Sequence, residues 1–325
     1  RRQRQMCIRD SLVEYSSAYA IIASKNDDTD IEYFDIKRNY QVRSLLAAIE
    51  VLYKREMITE DDCKTCFHNL RNFFFLFHSC SYTSNKTDKA IANAAFDVYH
   101  TKSEMDFKYV ISDVFRELSK FISSSTVDEL MFTTSSMHYS LKNSAYKSNH
   151  RIVKYILYCL YMPDQRDTVL DQSRLTIEHL LNDDGSVRNS SIYNLTLTSG
   201  EINSNELKNR GLVEKIGILK SQSSVIANQK LDEYLDAQGE YLEDKRKNDL
   251  KEQAISNVFK YEDSPFGYTK EMVDGYLKMK RALQSDEELL AVLLERGMNI
   301  QAYLSNNPAM QDAYNRFLTL CGTTS

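Results

Sequence analysis

The distribution of glycine and proline limits what this 325-residue chain can fold into. Glycine occurs nine times and proline three times, and every glycine lies beyond residue 184. An average protein contains about 7% glycine and 5% proline, so both residues are scarce here. A β-sandwich or β-barrel needs turn residues roughly every 8–12 positions, which this chain does not provide. The sequence therefore predicts a mainly α-helical fold, most clearly before residue 184.

Apolar residues in the first half of the chain recur at the spacing of a helix. Four such stripes are present, at residues 12–22, 45–53, 67–77 and 107–122. A fifth apolar helix at residues 152–160 is predicted to end at Pro163, because proline has no backbone N–H to continue it. We expect six or seven packed helices in a first domain that covers residues 1–163.

The character of the sequence changes at Asp164, where short apolar runs alternate with polar turns. Leu175-Thr176-Ile177 and Leu195-Thr196-Leu197 are rich in β-branched and aliphatic residues, as strands are. Thr198 and Glu201 have the spacing of a capping box, which indicates a helix just after the second strand. A second domain at residues 164–224 is therefore predicted to run strand, loop, strand, helix.

Helical composition returns in a third region, residues 225–325. Residues 225–260 are rich in helix-forming residues and lack proline, which predicts one long or kinked helix. A break at residues 263–267 precedes three predicted shorter helices, at 270–284, 286–297 and 307–320.

Charge and hydropathy exclude several classes of protein. A net charge of −5 argues against a uniformly basic nucleic-acid binder, so any such contact must be local. The chain has no apolar run of about 18–20 residues, which predicts that it does not cross a membrane. Six cysteines without a disulfide-framework spacing indicate reduced thiols and a cytoplasmic location. The first residue is not methionine, and we expect a longer protein.

Four polar residues in the second domain carry the chemistry that points to a function. Glu178 and His179 end the first predicted strand, Asn194 opens the second, and Asn203 lies in the following helix. Hydrolysis of a phosphodiester needs a base for the attacking water and a hard cation for the phosphate. Neutral imidazole is a suitable base near neutral pH, and Mg²⁺ prefers carboxylate and amide oxygens.

This stretch resembles an HNH, or ββα-metal, nuclease core. It is most similar to the C-terminal nuclease domain of GmrSD-type modification-dependent restriction enzymes, where a ParB-like NTP-dependent domain precedes it. The HNH domain of RNA-guided CRISPR nucleases has similar spacing. Glu178-His179, Asn194 and Asn203 match the family motif, and Glu214-Lys215 followed by Ser221 matches a downstream pattern. Two positions depart from it, with Tyr193 in place of a glycine and Asn182 in place of a proline.

The resemblance implies a role for each motif residue. His179 would be the general base, Asn194 would orient its imidazole, and Glu178 with Asn203 would hold one Mg²⁺ or Mn²⁺. The implied protein is a DNA endonuclease of a prokaryotic restriction or antiphage system, which nicks DNA or cuts both strands. Its implied partners are DNA, including modified phage DNA, and a ParB-like NTPase domain or subunit. Cutting both strands with one site per chain would favour a homo-oligomer.

A cluster of basic residues follows the motif. Phosphate contacts need cations near the metal, and four candidates for binding nucleic acid lie there, namely Lys208, Arg210, Lys215 and Lys220. Lysines are equally common on a solvated helix face.

The motif also permits a structural interpretation. Glu178 could pair with Arg174 or Lys215, and the two asparagines could serve as turn and cap residues. The chain would then be a catalytically silent helical adaptor that binds DNA or protein and keeps a degenerate HNH scaffold. RNA is a further possible substrate of the same chemistry.

A zinc site can also be written from the sequence, with Cys63, Cys66, His78 and Cys80 as ligands. The helical spacing of Cys63 and Cys66 with the phenylalanines that follow favours a buried helix instead. The same spacing predicts that the run at residues 73–77 lies in the core. Four histidines, His68, His100, His138 and His150, are predicted to be structural. None of them has an acidic residue or a cysteine at a spacing typical of a metal or catalytic site.

Overall fold

The computed structural model describes residues 2–25, 28–165, 170–208 and 210–282. In this part of the chain the structure is mainly α-helical, with one two-stranded sheet, which confirms the predicted fold class at that level. Among these residues, no helix has the length and apolar content needed to cross a membrane.

The described α-helices and strands follow in chain order. They are α1 (Arg2–Ser24), α2 (Thr29–Lys37), α3 (Val42–Lys54), α4 (Glu60–Ser79), α5 (Asp88–Tyr99), α6 (Glu104–Ser119), α7 (Ser124–Leu130), α8 (His150–Tyr161), β1 (Leu175–His179), α9 (Val187–Ser190), β2 (Leu195–Ser199), α10 (Gly200–Ile202), α11 (Leu212–Gln222), α12 (Glu243–Gln253) and α13 (Lys270–Ala282). Two π-helical turns continue α10 and α12, at Asn203–Leu207 and Ala254–Val258. The 3-10 helices are Ser84–Lys86, Ser135–Met137, Lys147–Asn149, Met162–Asp164, Gln172–Arg174, Ile192–Asn194 and Ile226–Tyr234.

The structure has two compact units, each built from separate segments of the chain. Unit 1 contains the described residues up to Phe73, Thr83–Ile122, and those from Glu262 onwards. Unit 2 contains Phe74–Tyr82 and the described residues of Ser123–Tyr261.

Unit 1 is a helical unit whose core comes from the predicted stripes. Nearly all of α3 is buried, and α6 buries Phe107, Ile111 and Phe115. The last helix, α13, joins this core through Tyr276, whose hydroxyl donates a 2.9 Å hydrogen bond to Asp106 Oδ1.

Eight described α-helices precede Pro163, rather than the six or seven predicted. The additional ones are short. The helix α2 has nine residues and α7 has seven, and each begins at a side-chain cap, Asp28 and Ser123 respectively. A cap defines a short helix without the long apolar stripe that the sequence prediction relied on.

Unit 2 contains the sheet, which forms where it was predicted. The strand β1 pairs antiparallel with β2, so that Glu178 lies opposite Thr196 and His179 lies opposite Leu195. The helix α10 begins directly after β2, as expected. Its cap is Ser199, whose hydroxyl accepts from the Ile202 amide at 3.3 Å, rather than Thr198.

The prediction of one helix over residues 225–260 is wrong. The 3-10 helix Ile226–Tyr234 ends in a reversal, where the Asp236 amide donates to the Glu240 carbonyl at 2.9 Å. Gly239 has φ +79°, a left-handed conformation that glycine adopts without strain, and α12 begins only at Glu243. The predicted helix at 270–284 is present as α13 as far as Ala282, whereas those at 286–297 and 307–320 lie outside the described residues.

The predicted domain boundaries at residues 163 and 224 both lie inside unit 2. Gln165 bonds across the second boundary, because its side chain donates to the Ser224 carbonyl at 2.9 Å and accepts from the Ile226 amide at 3.0 Å. Asn228, beyond that boundary, donates to the Leu197 carbonyl of β2 at 2.8 Å. The predicted nuclease core is therefore one part of a larger unit.

Candidate active site at the outer edge of strand β1

The edge of β1 that faces away from β2 carries the candidate site. In an antiparallel pair, every second residue directs its backbone groups to the partner strand. The Leu180 amide donates to the Asn194 carbonyl at 2.9 Å, so Glu178, two residues earlier, also faces β2 with its backbone. Ile177 and His179 consequently direct their backbone carbonyls outwards.

Side chains of Asn203 and Lys215 bind these two outward carbonyls. Asn203 Nδ2 donates to the Ile177 carbonyl at 3.0 Å and to Thr176 Oγ1 at 3.1 Å. Lys215 Nζ donates to the His179 carbonyl at 2.6 Å. Carbonyls two residues apart on a strand are separated by roughly 7 Å, so Asn203 and Lys215 lie side by side along the edge.

Local structure fixes both side chains. Asn203 is the first residue of the π-helical turn that continues α10, the helix capped by Ser199. Lys215 lies on α11, which is held against the sheet region by a buried apolar cluster of Leu180, Leu207, Ile216, Leu219 and Leu231. The site therefore depends on ordinary core packing behind it.

Glu178 and Lys215 form a buried ion pair. The Lys215 ammonium lies 2.5 Å from Glu178 Oε1. Lys215 is 1% exposed and Glu178 is 7% exposed. The structural interpretation named Arg174 and Lys215 as possible partners of Glu178. Glu178 contacts Lys215, whereas Arg174 pairs with Asp171 at 3.1 Å. A lysine that contacts phosphate from the solvent side must lie on the surface. Lys215 does not, because its ammonium is buried and paired with Glu178.

His179 is held by a backbone carbonyl. Its Nε2 lies 2.9 Å from the Tyr139 carbonyl oxygen, and the residue is 8% exposed. A carbonyl only accepts, so Nε2 must carry a proton, and in the neutral ring the lone pair is then on Nδ1. Within the described residues Nδ1 has no hydrogen-bond partner. The side chain is therefore oriented as a proton acceptor.

Tyr139 also supports the imidazole with its ring. The Tyr139 and His179 rings stack with their centroids 5.9 Å apart. The His150 ring packs edge-on against the Tyr139 ring, with centroids 5.1 Å apart. Tyr139 is fixed in turn because its amide donates to the Ser190 carbonyl at 2.8 Å. Sequence reasoning missed Tyr139, because a residue that acts through its backbone carbonyl leaves no signature in side-chain type.

Asp183 supplies negative charge near His179. Its carboxylate accepts from Ser140 Oγ at 2.6 Å, from the Leu141 amide at 2.9 Å and from the Gly185 amide at 3.0 Å. Burial raises the pKa of Asp183, but these hydrogen bonds and the nearby imidazole lower it by more than burial raises it. The pKa of Asp183 is therefore below its ordinary value. The ionised carboxylate of Asp183 thus places a negative charge near the His179 side chain. The residues Asn182-Asp183-Asp184-Gly185 are typical of a turn, and that pattern does not indicate a charge near His179.

Asn194 fastens the loop between the strands rather than the imidazole. Its Oδ1 accepts from the Leu181 amide at 2.8 Å, and its Nδ2 donates to the carbonyls of Leu181 at 2.9 Å and Asn189 at 2.7 Å. These bonds use its side chain fully, and the imidazole is bonded to Tyr139 instead. The predicted role of Asn194 in orienting His179 directly is therefore replaced by a role in shaping the loop that carries Asp183.

The remaining basic candidates lie at the surface after Asn203. Arg210 forms an ion pair with Glu214, and Lys220 forms one with Asp232. Lys208 is exposed at φ +27°, directly after the π-helical turn, and has no carboxylate partner in the described part of the chain. Of the four basic candidates, Lys208 is the one without an ion pair among the described residues.

Oxygen atoms suited to a divalent cation remain at the edge of β1. Lys215 uses only Oε1 of Glu178, and Asn203 donates through Nδ2, so Glu178 Oε2 and Asn203 Oδ1 have no hydrogen-bond partner among the described residues. The described residues contain no group of three or more His, Cys, Asp or Glu suited to a metal. Mg²⁺ commonly takes one or two protein oxygens and keeps its waters, so two ligands fit that ion, with Lys215 as a competitor for Glu178.

The alternative zinc ligands belong to a helix interior. Cys63 and Cys66 are buried on α4, where burial raises the pKa of Cys63 to about 12 and raises that of Cys66 strongly. Because zinc binds the thiolate, buried thiols of this kind are poor ligands. The phenylalanines at 73, 74, 75 and 77 are fully buried.

Comparison with known proteins adds no relative to this description. No protein-family model, no curated protein and no solved structure matches the chain. The function is therefore inferred from the side chains of His179, Glu178 and Asn203 on and beside β1, which bond the Tyr139 carbonyl, Lys215 and the Ile177 carbonyl respectively.

Proposed function

We propose that this chain is a metal-dependent DNA endonuclease whose active site is the outer edge of β1. The observation that carries the proposal is the hydrogen bond of His179 Nε2 to the Tyr139 carbonyl at 2.9 Å, which leaves Nδ1 as the proton acceptor. In this role His179 takes a proton from the water that attacks phosphorus. The carbonyl of Tyr139 keeps the ring in the required tautomer, and Asp183 stabilises the imidazolium.

Glu178 and Asn203 would hold one Mg²⁺ or Mn²⁺ through Oε2 and Oδ1. When bound, such a cation neutralises charge on the phosphate and on the leaving oxygen. Asn203 is fixed for this task, because two hydrogen bonds from Nδ2 to β1 direct its amide group. Lys215 holds the other oxygen of Glu178 and keeps the carboxylate at the edge of the strand.

DNA is the substrate that the family resemblance supports, with restriction or antiphage defence in a prokaryotic cytoplasm as the setting. A ParB-like NTPase domain or subunit would be the partner, and modified phage DNA the target. Lys208 would contact the backbone phosphates directly. Arg210 and Lys220 would leave their ion pairs with Glu214 and Asp232 and contact the phosphates instead. Both ion pairs are half-exposed, and exposed ion pairs are weak.

Plasmid nicking tests this proposal. Supercoiled DNA incubated with the wild type and Mn²⁺ should be converted to the open circle, and a chelator should stop the reaction. His179→Ala should lower the rate about 100-fold or more, since a general base contributes at least that factor. His150→Ala is the matched control, because His150 contacts the same tyrosine ring from another position. Equal rates for wild type and His179→Ala would refute the assignment.

A second candidate function is a catalytically silent adaptor that binds DNA or protein. The observation that favours it is the Lys215–Glu178 pair, because the ammonium already neutralises the carboxylate that a metal needs. An adaptor of this kind would retain the ββα scaffold but show neither nicking nor stabilisation by Mn²⁺. Both properties measured on the wild type separate the two candidates.

A further inference from the structure

Arg246 is a buried arginine in unit 2 that forms no ion pair with a carboxylate among the described residues. It lies on α12, is 1% exposed, and donates from Nη2 to the Tyr161 hydroxyl at 3.0 Å and the Leu195 carbonyl at 2.8 Å. Its Nε and Nη1 are buried and have no hydrogen-bond partner in the described residues. Three tyrosine hydroxyls lie near its charge, those of Tyr161, Tyr234 and Tyr241, and its guanidinium carbon lies 5.5 Å from the centre of the Tyr234 ring.

Such an arrangement is unfavourable unless an anion completes it. Guanidinium stays protonated at any physiological pH, so burial does not remove the charge. A buried cation is normally paired with a carboxylate or a bound anion, and each unmade hydrogen bond adds a further penalty. Tyrosine hydroxyls solvate the charge in part but do not neutralise it.

Arg246 lines a cavity of about 270 Å³ within unit 2. The polar part of its lining consists of Tyr161, Asp164, Lys230, Tyr234, Gln253 and Asn257, in addition to Arg246. Lys230 is half-exposed and forms a 3.2 Å ion pair with Asp164, which lines the same cavity, so the pair adds an ammonium donor while its two charges offset each other. Arg246 and the Lys230–Asp164 pair therefore line one small polar cavity, and the three side chains together carry one net positive charge.

We propose that this cavity binds a phosphate group, either as free phosphate or at the end of a nucleotide. The free N–H groups of Arg246 are on two different nitrogens, and Lys230 adds further donors. Three or four oxygens arranged tetrahedrally satisfy divergent donors better than the two coplanar oxygens of a carboxylate. The site is separate from the outer edge of β1 and does not depend on nuclease activity.

Thermal melting in inorganic phosphate, with ionic strength held constant by chloride, tests the site. The wild-type melting temperature should rise with phosphate and follow a saturable curve, because a ligand that binds only the folded state stabilises it by mass action. Lys230→Gln, at a half-exposed position, should fold normally and weaken phosphate binding roughly tenfold. Arg246→Met should abolish the response.

Arg174→Met is the control, because Arg174 is 85% exposed and pairs only with Asp171 in its own turn. It should keep the wild-type response. A parallel titration with a nucleoside 5′-monophosphate distinguishes the two sources, since a nucleotide site binds it more tightly than free phosphate. No phosphate-specific stabilisation of the wild type, or the same binding curve for Lys230→Gln, would overturn the proposal even if Arg246→Met fails to fold.

Discussion

Lys215 and Glu178 form the most consequential pair of side chains in the site. Both are almost completely buried, and the ammonium also binds the His179 carbonyl. A buried ion pair gives little net stability compared with apolar residues, but removal of one partner leaves an uncompensated charge inside the protein. The pair therefore makes the site sensitive to single substitutions.

We predict that Lys215→Met lowers the free energy of unfolding by about 3–5 kcal/mol, because Glu178 is then left buried and unpaired. The measurement is urea denaturation followed by far-UV circular dichroism. Arg174→Met, which breaks the exposed pair with Asp171, should change stability by about 1 kcal/mol or less.

The double variant Glu178→Gln with Lys215→Met provides the check on mechanism. It should be more stable than Lys215→Met alone, because the unpaired charge is gone. Strictly additive effects of the two substitutions would contradict a direct interaction between these side chains.

Asp183 gives the site a dependence on pH. The net pKa of its carboxyl is below the ordinary value, because hydrogen bonds and the neighbouring His179 outweigh the effect of burial. A lowered pKa in the folded state contributes stability above the unfolded pKa, and that contribution is lost as the pH falls through the folded pKa.

Asp183→Asn should therefore destabilise the protein at pH 7, by about 1–3 kcal/mol for hydrogen bonds to a charged group. The difference from the wild type should narrow as the pH falls below the ordinary value of 3.8. This difference in stability is measured from the urea denaturation midpoints of both proteins between pH 7 and pH 3. A difference that stays constant or widens on acidification would show that Asp183 is not ionised in this network.

At the residue scale, side-chain chemistry was predictable and backbone chemistry was not. The motif predicted that Glu178, His179 and Asn203 meet at a strand end. In the structure Asn203 bonds the outward carbonyl of Ile177, and Lys215 bonds both Glu178 and the outward carbonyl of His179, while the roles assigned to the three residues stay predictions. The partner of His179 is a carbonyl of Tyr139, which lies 40 residues earlier in the chain. Any residue type can provide a carbonyl, so only the fold reveals it.

At the scale of elements, the segment after α11 shows how tertiary contacts override propensity. Its composition favours one helix, but the chain reverses at Asp236 and Gly239 and pairs Leu235 with Tyr241. A reversal needs only one residue with positive φ, and a single glycine among helix-forming residues is a weak signal. The two strands were predictable because their β-branched runs are flanked by clear turn residues.

Gly239→Ala tests this reversal. We predict a loss of about 1–2 kcal/mol, because the residue has φ +79° and an added Cβ would meet Val213 Cγ2 at 3.0 Å. Gly211→Ala is the matched control, since it has φ −70° and an added Cβ there meets nothing within 4 Å. Urea midpoints measure both. Equal destabilisation by the two substitutions would contradict the left-handed turn.

At the scale of the whole molecule, composition predicted the helical class but not the organisation of the chain. The predicted domains were continuous segments, whereas both compact units combine separate segments. Composition changes along a sequence do not record long-range pairings such as that of Asn228 with Leu197. A change in local structure at Asp164 was visible, and it marks the end of the 3-10 helix Met162–Asp164 inside unit 2 rather than the start of a domain.

The fragment of residues 164–224 should therefore not fold by itself. The sheet would lose Tyr161, which bonds Thr196 at 3.2 Å, as well as Asn228, which bonds the same hydroxyl, and Arg246, which bonds the Leu195 carbonyl. We predict a circular dichroism spectrum of a largely unfolded chain and no cooperative melting. A cooperative transition of this fragment would show that the HNH-like segment is an independent domain.

The claim on which this account depends is that a divalent cation binds at the outer edge of β1 although Lys215 holds Glu178. Titration of Mn²⁺ followed by electron paramagnetic resonance tests it most directly, because bound and free ions are distinguished without any activity assay. The account predicts one Mn²⁺ per chain for the wild type, loss of binding in Asn203→Ala, and normal binding in the control Asn205→Ala. Absence of binding at low-millimolar Mn²⁺, or binding that is unchanged in Asn203→Ala, would contradict it.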